Sequence, residues 1–227
     1  NYLLAIVRKE HQYGFAVVDA STGEFLATEI PDWNTLHNEF WRYDPVECLI
    51  SENDALLKEE VLRIAGENRV TITTHGEHAF SLPYAEKTIR EQFRINSLSS
   101  LGCEDKPLLT IAAGVILDYL NIMQKSKPSN ILSLKVYSLK ETMELDYATR
   151  RNLELVRSLH SADRKDSVLG ILDYTRTAVG SRLLKNWLEK PLLHAEEIQK
   201  RLDSTEELVN DTSLRLSLKE HLDPVYD

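Results

Sequence analysis

The opening stretch NYLLAIVRKEHQYGFAVVDASTGEFLATEI, residues 1–30, decides the fold class of the first half of the chain. Leu3-Leu4-Ala5-Ile6-Val7 is a continuous apolar run, the pattern of a strand covered on both faces. The polar link Arg8 to Gln12 leads into Phe15-Ala16-Val17-Val18. Ser21-Thr22-Gly23 then turns the chain into a third strand, Phe25 to Ile30. Such short links favour antiparallel neighbours. Downstream, Asp32 can cap a helix through Tyr43 that carries Trp33, Leu36, Phe40 and Trp41, and Pro45 ends it. Glu47 to Ser51 reads as a fourth strand, Asp54 to about Gly66 as a helix, and Arg69 to Thr73 as a fifth strand. A meander followed by alternating helices and strands is an α/β domain.

Two further helices are expected before a boundary. Tyr84 to Phe93 is one. The other starts at Pro107, which suits a first helical turn, and repeats Leu108, Ala112, Val115, Ile116, Tyr119, Leu120 and Met123 at helical spacing. Ile111 and Ile122 widen its apolar surface, and Thr110, Gly114, Asp118 and Asn121 interrupt it. It therefore reads as a buried helix and not a membrane span. The polar, basic, proline-containing stretch Lys125 to Asn130 is the expected linker, dividing the chain into 1–127 and 128–227.

The second half reads as helix. Asp146 can cap Tyr147 to Leu159, Ser167 to Asp173 is a short helix, and Thr177 caps a helix with Leu183, Leu184, Trp187 and Leu188 that Pro191 stops. Ala195 to Val209 follows, with Ile198, Leu202 and Leu208 on one side. Leu214, Leu216 and Leu218 alternate like a strand within a helix-favouring composition.

The formal net charge is −9, which argues against broad electrostatic wrapping of nucleic acid. Residues 150–190 reverse that balance locally, with 9 Lys/Arg against 5 Asp/Glu, so any nucleic-acid face belongs to the second half. Cys48 and Cys103 stand far apart, which disfavours a disulfide framework or a zinc site. There is no GxxxxGK[ST] or GxGxxG phosphate loop. His75 and His78 lack the spacing of HExxH and read as solvent-exposed loop residues. Asp19 could belong to a two-metal nuclease of ribonuclease H type or to an actin-like nucleotide fold. Nuclease chemistry needs a carboxylate on the first strand, however, and Leu3 to Val7 supplies none. Asp19 is more simply the residue that opens the Ser21-Thr22-Gly23 turn.

The sharpest local signal is Leu145-Asp146-Tyr147-Ala148-Thr149-Arg150-Arg151-Asn152-Leu153-Glu154-Leu155. Asn152 is a weak helix former in an expected helix interior, and two arginines precede it. Asp146, Arg150, Arg151, Asn152 and Glu154 are therefore candidates for bracing neighbouring segments through amide and guanidinium hydrogen bonds. The plainer alternative is a surface Arg150–Glu154 pair.

This segment resembles the start of the core domain of MutS mismatch-repair proteins. The resemblance continues through Ser167 to Asp173, Thr177 to Leu184, Trp187 to Leu192 and Ile198 to Leu208. Upstream, Tyr13-Gly14-Phe15-Ala16 through Phe25 is similar to the opening of the family's connector domain. It implies a connector (domain II) of ribonuclease H-like topology without catalytic carboxylates, then the first part of an all-α core or lever domain (domain III), some of whose apolar stripes would lack their native cover. It also implies that this chain is a non-catalytic internal piece, with no cofactor of its own, of a cytoplasmic, nucleoid-associated protein with no membrane partner. The intact protein is then a homodimer that binds mismatched duplex DNA, uses ATP and Mg, and recruits MutL. The family's mismatch-reading motif would lie before residue 1 and its ATPase motifs beyond Asp227. His194 departs from the family, where an Asp cap is common. The competing readings are a ribonuclease H-like nuclease or nucleotide-binding enzyme, and a free-standing helical interaction protein.

Overall fold

A computed structural model describes residues 2–66, 70–124, 128–161 and 163–225, and they form two compact units, Asn1–Ser138 and Leu139–Asp227. Arg69 of the expected fifth strand and Lys125, Ser126 and Lys127 of the expected linker lie outside the described residues.

The first unit is built on the meander β1 (Tyr2–Lys9), β2 (Gln12–Asp19) and β3 (Glu24–Ile30). The pairs are antiparallel in register Ala5↔Ala16 and Ala16↔Ala27. After α1 (Trp33–Tyr43), β4 (Glu47–Ser51) adds parallel to β1. After α2 (Ala55–Ala65), β5 (Thr71–His75) adds parallel to β4. The helices α3 (Leu82–Phe93) and α4 (Pro107–Gln124) follow, and a short strand β6 (Lys135–Val136) returns parallel to β3. The sheet order is β5-β4-β1-β2-β3-β6. An antiparallel meander extended by two parallel strands on its β1 edge is the ribonuclease H-like arrangement that the resemblance implied.

Period-2 alternation sends side chains to both faces. Leu3, Ala5, Val7, Ala16, Val18, Phe25, Ala27 and Leu49 share one core with α3 and α4. Leu4 and Ile6 point to the other face. There Phe15 packs on Tyr43 of α1 with ring centroids 5.7 Å apart, and Arg8 bonds to Asp54 and Glu60 of the α2 segment. The continuous apolar run 3–7 thus reflects a strand sandwiched between two helical layers.

α4 is the axis of that first core. It is long and apolar enough to cross a membrane, yet eleven of its residues, Leu108 through Leu120, are buried inside the unit. Its start is held from β3. Pro107 lacks an N–H, and the Leu108 N–H, otherwise an orphan of the first turn, donates to Glu29 Oε1 at 3.0 Å. Ile122 and Met123 at its far end stay exposed.

The chain after Pro128 stays with this unit. Ile131 and Leu134 are in the core, and β6 pairs with β3. The compact unit therefore continues to Ser138, past the divide expected after Lys127.

The second unit contains α5 (Tyr147–Asn152), α6 (Val168–Leu172), α7 (Ala178–Glu189), α8 (Ala195–Asn210) and α9 (Thr212–Leu222). α7, α8 and α9 bury no residue. Leu183, Trp187, Ile198, Leu202 and Leu216 are all exposed, as expected of stripes without cover. The 214–218 alternation resolves as helix: Asp211 accepts from the Leu214 N–H at 2.9 Å and starts α9. His194 stands at the cap of α8 and makes no side-chain capping bond. Asp there would accept from a first-turn N–H and face the helix dipole favourably. His194→Asp should raise the stability of the second unit by about 1 kcal/mol, read from urea denaturation. A midpoint that does not rise would show that the end of α8 is not limiting.

Candidate functional site

The segment that carries the sequence signal is a short helix followed by a sharp turn. Asp146 accepts from the Thr149 N–H at 2.6 Å and caps α5. A hydrogen bond with the Thr149 side chain, followed by this backbone bond, holds its carboxyl below the usual carboxylate range. The helix expected to reach Leu159 stops at Asn152. The reason is Glu154, whose backbone takes a left-handed φ of 50°. That conformation is unfavourable for a residue with a Cβ, and local bonds offset it. The Glu154 carboxylate accepts from the Leu159 N–H at 2.5 Å and from Ser158 Oγ at 3.3 Å. Its carbonyl accepts from Val168, and the Leu155 carbonyl accepts from Leu169. The turn thus stitches the end of α5 to the start of α6.

Of the five expected bracing residues, Asp146 and Arg150 meet through the backbone, with the Arg150 N–H on the Asp146 carbonyl at 3.0 Å. Arg150 is buried, whereas Arg151 and Asn152 are exposed. Glu154 faces its own turn.

A neighbouring node escaped the sequence reading. Asp173, just after α6, accepts from Ser181 Oγ of α7 at 2.6 Å, and from Thr175 N at 3.1 Å and Thr175 Oγ1 at 2.5 Å. Arg164 pairs with the same carboxylate and donates to Ser181 Oγ at 2.7 Å. The Ser181 bond, followed by those of Thr175, holds Asp173 below the usual carboxylate range. Arg164, Asp173 and Ser181 join a loop and two helices. They sit on different elements, so no single helical or strand period relates them.

In the first unit, the C-terminal ends of the parallel strands are where open α/β sheets place ligands. Here β1 closes on Arg8 and Lys9, not on a carboxylate, and the Arg8 guanidinium lies 2.5 Å from Asp54 Oδ1 and 3.5 Å from Glu60 Oε2. Asp19 ends β2 and acts as the turn residue expected. Its Oδ1 accepts from the Ser21 N–H at 2.9 Å and Ser21 Oγ at 2.6 Å. Burial pushes its carboxyl up, and the Ser21 bonds outweigh this and hold it low.

The histidine pair is divided. His78 is exposed, as expected, but His75 is largely covered and lies with Nε2 2.8 Å from Asp118 Oδ2 on α4. Tyr84 of α3 donates to Asp118 Oδ1 at 2.8 Å, which raises its phenol. This polar triangle ties β5 to both helices. Among the described residues no set of three His, Cys, Asp or Glu side chains is arranged to hold a metal ion. Cys48 and Cys103 are both buried free thiols, and burial pushes both up.

Comparison with known proteins agrees with this architecture. The family description "MutS domain II" matches residues 1–132, and "MutS domain III" matches residues 148–227. The chain is 36% identical over 230 residues to the DNA mismatch repair protein MutS of Methanococcoides burtonii, covering 100% of this chain and 26% of the relative. It is 38% identical over 233 residues to that of Syntrophomonas wolfei, covering 100% of this chain and 27% of the relative. The corresponding protein of Symbiobacterium thermophilum is 38% identical over 230 residues, covering 100% of this chain and 26% of the relative. The chain therefore spans about a quarter of the length of the curated relatives it matches. Matches to both domains, over residues 1–132 and 148–227, on a sheet of the implied topology, mean that the chain belongs to the MutS family, with domain II followed by a stretch of domain III.

Proposed function

We propose that this chain is a non-catalytic connector and lever segment of a cytoplasmic, nucleoid-associated mismatch-recognition protein. Within the intact homodimer it passes signals between mismatch-binding, clamp and ATPase parts, and its connector supplies part of the surface that recruits MutL. ATP and Mg act elsewhere in that protein. The segment 146–154, with Arg150 and Glu154, braces the start of the lever.

The observation that carries the non-catalytic reading is the end of β1. A two-metal nuclease needs carboxylates converging there to hold cations. This chain offers the cation of Arg8, already paired with Asp54 and Glu60. Asp19 is occupied by its own turn. The same geometry disfavours the alternative of a ribonuclease H-like nuclease or nucleotide-binding enzyme.

The expected result is that the chain neither cuts nucleic acid with Mg or Mn nor hydrolyses ATP. Metal-dependent cleavage that disappears in Asp19→Asn would overturn the proposal. For recruitment, exposed connector residues are exchanged in the full-length protein. Loss of MutL binding with DNA binding and ATPase retained supports the role, and unchanged binding across all of them removes it.

A further inference from the structure

Residues 128–137 lie along β3, which without them would be the open edge of the sheet. Asn130 Nδ2 donates to the Ala20 carbonyl at 2.5 Å, in the turn before β3. Gly23 in the same turn takes a left-handed φ of 76°, and a Cβ there would lie 2.1 Å from the Asn130 carbonyl oxygen. Further on, Lys135 and Val136 pair with Leu26 and Ala27. Tyr137 closes the run. Its N–H donates to the Ala27 carbonyl at 3.1 Å, and its carbonyl accepts from Thr28 Oγ1 at 2.8 Å.

The two ends of this strap are held differently. The first is anchored on the α3 and α4 side of the sheet. Gln92 Nε2 donates to the Pro128 carbonyl at 2.9 Å and the Ile131 carbonyl at 3.1 Å, and Ile131 and Leu134 are buried in the core. At the second end Lys135 is exposed, and Val136 and Tyr137 are partly covered. Two parallel pairs make a weak ladder. The added hold comes from α1, on the other face of the sheet. The Tyr137 hydroxyl donates to Glu39 Oε2 at 2.6 Å. Arg42 pairs with Oε1 of the same carboxylate and donates to the Tyr43 hydroxyl at 2.7 Å, and that hydroxyl also bonds with Tyr137. Burial of its hydroxyl end pushes the Tyr137 phenol well up, so it stays a donor. Glu39 is buried, and hydrogen bonds to charged groups are the strong ones.

We propose that residues 128–137 form a strap that opens from its Tyr137 end, with the Glu39–Tyr137 bond as the latch, so that α1 governs whether β3 is a covered or an open edge. A displacement of α1 withdraws the carboxylate and frees 135–137, while Gln92, Ile131 and Leu134 keep the strap attached. An opened β3 presents unpaired N–H and C=O groups of the kind that pair with another extended chain. The freed residues adjoin the end of the unit at Ser138, so the latch also decides how much of the chain this fold retains. The inference concerns the first unit alone and stands whether or not the connector recruits a partner.

Amide exchange of the full chain, read residue by residue by nuclear magnetic resonance, tests the latch. The register turns the Ala27 N–H toward β6. Tyr137→Phe removes every bond of the hydroxyl and keeps the ring. The amides of Ala27 and position 137 should then exchange at least about tenfold faster, the worth of one charge-assisted bond. Those of Ala5, Ala16 and Ile131 should change by less than about threefold. Thr28→Val removes only the neutral bond to the Tyr137 carbonyl. It should speed the same two amides at least about twofold, and it answers the question if the first variant does not fold. Smaller accelerations at Ala27 and position 137 would show that these bonds do not hold the strap. Acceleration at Ala5 and Ala16 equal to that at Ala27 would show that the strap opens only with the whole unit. Either result overturns the proposal.

Discussion

Gly14→Ala should destabilise the first unit by about 3–5 kcal/mol. A Cβ at this position would lie 2.0 Å from the Leu108 carbonyl oxygen and 2.2 Å from its carbon. Both are backbone atoms of α4 and cannot rotate away. β2 cannot retreat either, because it is paired along its length with β1 and β3. Moving the start of α4 would break the Glu29 bond to the Leu108 N–H and lift Leu108 and Leu109 off the core. Over-packing against rigid neighbours typically costs about 1–3 kcal/mol, and losing a charge-assisted bond about 1.5–3 more. Domains of this size are stable by only about 5–15 kcal/mol, so the variant should lie near unfolding at physiological temperature. Urea denaturation followed by far-ultraviolet circular dichroism measures it. A shift of under about 0.5 kcal/mol, the range of an ordinary surface change, would show that β2 and α4 are not in the close contact described.

The second large effect is expected at Gly170. An added Cβ would meet the Arg164 carbonyl oxygen at 2.1 Å and that of Lys165 at 2.7 Å. The Arg164 carbonyl is already fixed, accepting from Ser167 Oγ at 2.6 Å and from the Ser167 N–H at 3.1 Å. Its side chain is fixed by Asp173 and Ser181. Gly170→Ala must therefore break the cap of α6 or detach the 164–165 turn, at a cost of about 3 kcal/mol. This unit has little core to absorb the change. Leu155 and Leu169 are its only buried aliphatic side chains among the described residues. Limited proteolysis should cut Gly170→Ala within 139–225 while 2–138 resists. Equal resistance in variant and parent would contradict the tight packing at α6.

The first unit was largely legible because its strands are covered on both faces and its helices follow caps or prolines. Leu3 to Val7 announces burial, and Asp32 and Asp54 announce helix starts that their side chains do cap, as Asp146 does in the second unit. Three things were not legible. The helix at Asp146 was read past Asn152 because composition through Leu159 suits a helix, while the left-handed turn at Glu154 depends on acceptors supplied by the same side chain. Residues 128–130 read as linker by composition because their ties, to Gln92 and to the Ala20 carbonyl, reach partners distant in sequence that no local pattern encodes. The Arg164–Asp173–Ser181 and His75–Asp118–Tyr84 groups join residues across elements, and no local period encodes such pairs. The bracing candidates fell in between. Their neighbourhood was visible, but which of them turned inward was not, and only Arg150 did.

The position of α4 in chain order bears on how this protein is made. The meander is complete at Ile30, yet the helix that covers one of its faces ends at Gln124, roughly ninety residues later. At about 5–20 residues per second, a growing chain on the ribosome carries Val7, Val18 and Phe25 uncovered for about 5–20 s. Such a nascent sheet is a natural client for chaperones. Slowing translation between residues 30 and 107 should then lower soluble yield while leaving the finished protein unchanged.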